Sequence, residues 1–239
     1  MRIAITNDDG IHAEGLRVLV EWAKKLGEVI VYAPKTEQSG KSHGIELHRP
    51  LEVKPIDIGL GVTAYTVDST PADCVRFALL GRREHFDLVI SGVNKGLNIG
   101  RDIIYSGTVG AAFEASALGA KAMAVSTEPE SFSGAIAHLD EVWDYICRRA
   151  LFDRTDILNV NIPISVTGGI RITRQGGPYY SDCFLPQGND LYMPSGFSIY
   201  SDLGRAHLDT DAALHGTISI TPLTIDRTDT RVFDELIGE

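Results

Sequence analysis

Two rhythms of apolar positions alternate along the first two thirds of the chain, and together they predict strands separated by helices. Arg2–Thr6 is the short β-branched run of a buried strand, whereas Leu16, Leu19, Val20, Ala23 and Leu26 recur at the spacing of one helix face. Glu28–Ala33 is a second strand, ended by Pro34. Leu47–Lys54 and Val62–Val67 read as extended segments around a Gly59-Leu60-Gly61 turn. A helix begins near Asp68–Val75, with Thr70 as its N-cap, Pro71 in the first helical position and Asp73 in the first turn. Asp87–Ser91, Lys121–Ser126 and Ile157–Pro163 are further buried strands. The small residues from Gly110 to Gly119 suit a tightly packed helix, and Ile136, Leu139, Val142, Trp143, Ile146 and Ala150 mark the longest amphipathic one. This alternation predicts an α/β domain over residues 1–167 with a doubly wound, mostly parallel sheet.

From Gly168 onward the rhythm changes. Gly169–Arg174, Phe197–Tyr200 and Thr217–Thr221 read as short strands between Gly, Pro and Asn-Asp turns, and no helix is predicted. Residues 168–239 are therefore expected to form a β-rich extension used in packing or oligomerisation. Unpaired strand edges need a covering element or subunit, which predicts a homodimer at minimum and leaves a homotetramer open.

Open α/β sheets bind ligands beyond the carboxyl ends of their strands, so the residues just past each strand matter most. After the first strand come Asn7-Asp8-Asp9-Gly10 in place of the G-x-G-x-x-G that a dinucleotide fold requires. Two carboxylates about 4 Å apart repel by roughly 4 kcal/mol at an effective dielectric near 20. A divalent cation removes that conflict and can bridge to phosphate oxygens; helix capping explains the pair equally well. The loop after the second strand carries Ser39, Gly40, Lys41 and Ser42, which are either ligand groups or ordinary surface positions.

Beyond Ser91, glycines at 92, 96 and 100 alternate with Asn94 and Asn98, which predicts a long glycine-permitted loop bearing amides. Such loops inside compact domains are usually functional. It leads to Ser106-Gly107-Thr108 at a helix start, where free backbone amides and hydroxyls suit an anion. Simple N-capping is the alternative there.

Charge narrows the partners. Lys plus Arg total 22 against 32 Asp plus Glu, and the net charge of −10 argues against a nucleic-acid binder working by phosphate neutralisation. No apolar run approaches the ~20 residues of a membrane span, and Arg2-Ile3-Ala4-Ile5 followed by acids does not read as a signal peptide, so a cytoplasmic protein is expected. The three cysteines, Cys74, Cys147 and Cys183, lack paired spacing and read as free thiols. The seven histidines show no H-E-x-x-H.

Thr6-Asn7-Asp8-Asp9-Gly10-Ile11, Gln38-Ser39-Gly40, Thr70-Pro71-Ala72-Asp73-Cys74, Ser91-Gly92-Val93-Asn94 through Tyr105-Ser106-Gly107-Thr108-Val109, Asn159-Val160-Asn161-Ile162-Pro163 and Ser219-Ile220-Thr221-Pro222-Leu223 together closely resemble the SurE, or stationary-phase survival protein, family over nearly the whole length. The resemblance implies a Rossmann-like domain and a C-terminal part used in oligomerisation. It also implies a metal-dependent phosphatase of nucleoside 5'- and 3'-monophosphates, using one divalent ion, Mg2+ or Mn2+. Carried over by position, Asp8, Asp9, Ser39 and Asn94 are metal ligands. Ser106, Gly107 and Thr108, with Ser39, Gly40 and Asn98, bind the phosphate or substrate, and the catalytic set is Asp8, Asp9, Asn94, Ser106 and Thr108. The chain departs from the pattern at Ser69 and Ala115, where the family usually has glycine, and is less recognisable from Pro178 to Leu203. A nucleotide-binding module without hydrolysis is the main rival. A Rossmann-type oxidoreductase is disfavoured by the missing glycines.

Overall fold

The computed structural model describes residues 1–238. In chain order the elements are β1 (Arg2–Thr6), α1 (Glu14–Ala23), β2 (Glu28–Pro34), β3 (Val53–Pro55), β4 (Thr63–Val67), α2 (Pro71–Arg76), β5 (Leu88–Lys95), α3 (Gly107–Ala117), β6 (Ala122–Thr127), α4 (Ser133–Arg148), β7 (Ile157–Ile162), β8 (Ile170–Ile172), β9 (Tyr180–Gly188), β10 (Leu191–Ser198), α5 (Asp209–Leu214), β11 (Ile218–Leu223) and α6 (Thr230–Ile237). Nine strands make one sheet in the order β3-β4-β2-β1-β5-β6-β7-β11-β8. β1 pairs in parallel with both β2 and β5, β2 with β4, β5 with β6, and β6 with β7. Strand order therefore reverses at β1, and the crevice between the ends of β1 and β5 is the topological switch point.

Period-two alternation of buried strands divides the core into two layers. Ile3, Ile5, Leu88, Ile90, Met123 and Val125 face α1 and α4 through Leu16, Leu19, Leu139 and Val142. Ala4, Val89, Ala122 and Ala124 face α2 and α3 through Cys74, Val75, Val109 and Ala111. Small side chains on the second face bring α3 close to the sheet. Thr70 caps α2 as expected, its hydroxyl accepting from Asp73 N at 3.1 Å.

Four expectations need correction. The stretch after Ser91 is not all loop, because β5 continues to Lys95, pairing Asn94 with Ser126 and Lys95 with Thr127 past an irregularity. Gly92 makes that irregularity possible: at φ +140° its missing Cβ would lie 2.3 Å from the Val125 carbonyl oxygen. A 3-10 turn at Gly100–Tyr105 takes up the rest. Of Leu47–Lys54, only Val53 and Lys54 enter a strand, β3, an edge pairing of three residues with β4. The region beyond Gly168 contains two helices, α5 and α6. The strand expected at Phe197–Tyr200 is instead the end of β10.

Two strands from beyond Gly168 join the main sheet, β11 antiparallel to β7 and β8 parallel to β11. β9 and β10 form a separate antiparallel hairpin whose turn, Asn189-Asp190, takes φ values of 50° and 59°. Asn and Asp tolerate that left-handed turn geometry well. Among the described residues no helix is long and apolar enough to cross a membrane, and Cys74, Cys147 and Cys183 are free.

Candidate active site

The end of β1 delivers Asn7, Asp8 and Asp9 into the switch-point crevice. Asn7 is fully buried and closes the turn on itself, its Nδ2 donating to Gly10 O at 2.9 Å and its Oδ1 accepting from Gly10 N at 3.2 Å. Gln38 N donates to Asp8 O at 2.7 Å, which ties the loop after β2 to the same turn. Asp8 is 5% exposed and accepts a 2.5 Å hydrogen bond from Thr108 Oγ1. Gly107 admits this approach, since a Cβ there would stand 3.0 Å from Asp8 Cβ.

A cavity of about 410 Å3 opens over these groups, lined by Asp8, Asp9, Glu37, Ser39, Gly40, Asn94, Lys95, Asn98, Asp102, Tyr105 and Ser106. Seven of the sequence-derived residues (Asp8, Asp9, Ser39, Gly40, Asn94, Asn98 and Ser106) thus meet at one opening. Gly107 and Thr108 are buried behind Asp8 rather than among the lining residues. Glu37, Asp102 and Tyr105 line the cavity as well; sequence reasoning gave them no role, although Tyr105 adjoins Ser106. Lys95 reaches the cavity, whereas Lys41 lines a separate pocket with His43 and Arg227.

Electrostatics set the character of the site. Burial, then the charge of Asp9, pushes the Asp8 carboxyl up to about 6 against the opposing Thr108 hydrogen bond. Asp9 is raised by burial and by Glu37, and the Lys95 amide and ammonium oppose this. The pair is thus held at a cost that a cation would relieve.

Two neutral oxygens beside the carboxylates are left available as donors. Ser39 Oγ donates its proton to Glu37 Oε1 at 2.6 Å, which leaves its lone pairs available. Asn94 commits Nδ2 to Gly96 O at 2.8 Å and presents Oδ1 as its remaining polar atom. Among the described residues no three His, Cys, Asp or Glu gather into a group able to hold a metal. Two carboxylates with neutral oxygens form a hard donor set, and Mg2+-type ions are commonly held by one or two carboxylates plus water and substrate oxygens. The residues fit such an ion.

Hydrogen-bond donors suited to an anion adjoin them. Ser106 caps α3 by accepting from Val109 N at 3.1 Å, so its hydroxyl proton is free to donate. Asn98 is fixed by Asn161 Oδ1 at its N–H and by Ser126 at its side chain, both at 2.8 Å, and Asn159 and Asn161 donate to its carbonyl.

Fold and cavity define a Rossmann-like α/β protein with a carboxylate and oxygen-donor site at its switch point. Residues 3–182 match the family model described as Survival protein SurE, and the chain belongs to that family. It is 38% identical over 246 residues to the 5'-nucleotidase SurE of Legionella pneumophila subsp. pneumophila, covering 99% of this chain and 96% of that one. The 5'-nucleotidase SurE of Alkaliphilus metalliredigens is likewise 38% identical over 255 residues, with 99% and 97% covered. The crystal structure of the SurE protein from Aquifex aeolicus superposes with a TM-score of 0.80 at 32% identity, covering all of both chains.

Proposed function

We propose that the chain is a metal-dependent phosphomonoesterase that hydrolyses nucleoside 5'- and 3'-monophosphates to nucleoside and phosphate. The observation that carries it is the meeting of Asp8, Asp9, Ser39 and Asn94 with the capped start of α3 in one cavity. Asp8, Asp9, Ser39 and Asn94 hold one divalent ion, Mg2+ or Mn2+. That ion, when bound, supplies Lewis-acid polarisation of the phosphoryl oxygens. Ser106 and the first amides of α3 donate to the equatorial oxygens, aided by the helix dipole. Thr108 holds Asp8 in position through its hydroxyl. Lys95 brings one fixed positive charge, and Asn98 and Gly40 shape the substrate wall.

One such cradle accommodates a single terminal phosphate. Each added phosphate brings negative charge towards Asp8, Asp9, Glu37 and Asp102, with Lys95 the one cation among the lining residues. Monophosphates are therefore preferred over di- and triphosphates.

Residues 1–167 carry the chemistry in this reading, and residues 168–239 carry assembly into a homodimer or homotetramer. Support comes from the hairpin, where Phe184, Leu191 and Tyr192 are 68%, 64% and 62% exposed. Exposed apolar faces of that kind mark protein contacts. The reaction is placed in the cytoplasm, in keeping with three free cysteines.

Phosphate release from AMP, 3'-AMP, ADP and ATP at equal free Mn2+, with a chelated control, tests the proposal. Release confined largely to the monophosphates and abolished by chelation is expected. AMP binding without phosphate release would support the non-hydrolytic module instead.

A further inference from the structure

The cavity at the strand ends is polar in all but one place. Its lining residues carry carboxylates, amides, hydroxyls, a glycine and the Lys95 ammonium, apart from the aromatic Tyr105. Tyr105 as a residue is 61% exposed. A tyrosine usually buries its apolar body, so an exposed ring at the edge of a binding cavity is available surface.

The backbone beneath it, by contrast, is pinned. Tyr105 O accepts from Ser42 N at 3.0 Å, and Ser42 Oγ donates to Ile104 O at 2.5 Å. Ser106 N donates to Ile103 O at 3.2 Å. At the other end of the turn, Gly100 N donates to both carboxylate oxygens of Asp209 at 3.1 Å. Asp102 Oδ2 accepts from Tyr179 N at 3.1 Å and from Tyr180 N at 2.7 Å. A free ring on a fixed backbone is preorganised to receive a flat partner at little further ordering cost.

We propose that Tyr105 is the nucleobase platform of this site. The proposal rests on the nucleotidase reading. Tyr105 adjoins Ser106 in sequence and both residues line the same cavity, which sets Tyr105 beside the phosphate seat. A phosphate drawn inward to Asp8 and Ser106 leaves its nucleoside at the rim, where no other lining residue offers an apolar face. Stacking reads the π-face that every base has, rather than its hydrogen-bonding edge. The site therefore accepts purines and pyrimidines alike while favouring nucleotides over base-free phosphomonoesters.

The test compares kcat/KM for AMP with kcat/KM for ribose 5-phosphate, which keeps the phosphate and sugar and lacks the base. Measurements on the full chain at saturating Mn2+ cover the wild type, Tyr105→Leu and Tyr105→Phe, with melting temperatures confirming folding. Tyr105→Leu is expected to lower the AMP preference ratio by roughly five- to 150-fold, mainly through KM, and Tyr105→Phe to retain it. A ratio unmoved in Tyr105→Leu, whether both substrates fall together or neither changes, overturns the platform. Wild-type protein that hydrolyses ribose 5-phosphate but not AMP overturns the nucleotidase reading itself, and the platform with it.

Discussion

The ends of β1 and β5 and the β9–β10 hairpin are built on opposite terms. At the strand ends, Asn7, Asp8, Ser106 and Thr108 are buried and each side chain has a hydrogen-bond partner. In the hairpin, Phe184, Leu185, Leu191, Tyr192, Met193 and Phe197 are all exposed. Its two strands are nevertheless paired along their length from Tyr180 to Ser198. The first region places charge in the interior and fixes it with hydrogen bonds. The second leaves apolar surface in water and relies on backbone pairing alone. A functional site tolerates the first kind of cost because ligands relieve it, whereas the second kind is relieved by another protein surface.

The sharpest way to break this comparison is to neutralise the buried charge. Asp8→Asn keeps volume and removes an ionised oxygen, so turnover should fall by about a thousandfold or more while the melting temperature does not drop. Near-normal AMP hydrolysis by folded Asp8→Asn at limiting Mn2+ would refute the site.

Packing gives the next contrast. Ile90, fully buried between β1 and β6, should cost about 2–5 kcal/mol on truncation to alanine. Leu191→Ala in the exposed hairpin should stay within about 0.5 kcal/mol in dilute solution. Denaturant titrations that gave equal losses would show the hairpin to be part of the cooperative core.

Thr108→Val deletes the hydroxyl that Asp8 accepts while leaving the shape unchanged. A hydrogen bond to a charged group is worth about 1.5–3 kcal/mol, so turnover should fall roughly 10- to 150-fold. The same loss in Mn2+ affinity is expected, because Thr108 acts through Asp8; calorimetry that found affinity intact would place its hydroxyl on the substrate instead.

Asp209 offers a pH readout outside the candidate cavity. Burial pushes its carboxyl up to about 6, although the amides of Gly176 and Gly100 pull the other way. The folded chain therefore holds this proton more tightly than the unfolded chain, whose aspartate titrates near 3.9. The associated stability is fully present below about pH 4 and is lost as pH rises through about 6. Asp209→Asn cannot ionise, so the stability difference between wild type and variant should change across pH 4–6 and level off above it. A difference that is flat across that range would mean the carboxylate is not desolvated.

The smallest effect on the sheet should come from removing the hairpin altogether. Ile199 N donates to Tyr179 O at 2.9 Å, so the hairpin ends already meet and a short glycine linker can join them. Such a chain should keep its melting temperature within a few degrees yet lose oligomeric mass by light scattering. Unchanged mass would move the assembly surface elsewhere, with the exposed Phe233, Leu236 and Ile237 of α6 the next place to look.

By itself, the sequence determined most of the strands and helices of the first two thirds, since those elements bury a face whose period shows in their residues. It also located Asp8, Asp9 and Ser106, because strand-end carboxylates and a helix N-cap are local features. Tertiary structure decided the rest. β5 runs on to Lys95 only because β6 pairs with it there, and that pairing overrides the loop preference of Gly92 and Gly96. α5 and α6 escape prediction for related reasons. α5 is one six-residue segment, too short to show a helical period, and α6 is eight residues long with no buried face. Glu37 meets Asp102 and Tyr105 at the cavity from a turn far away along the chain, and no local spacing can announce such a meeting. Local periodicity records which face of an element is covered; which side chains then share one cavity depends on the sheet order, which reverses at β1 and brings the two strand ends together.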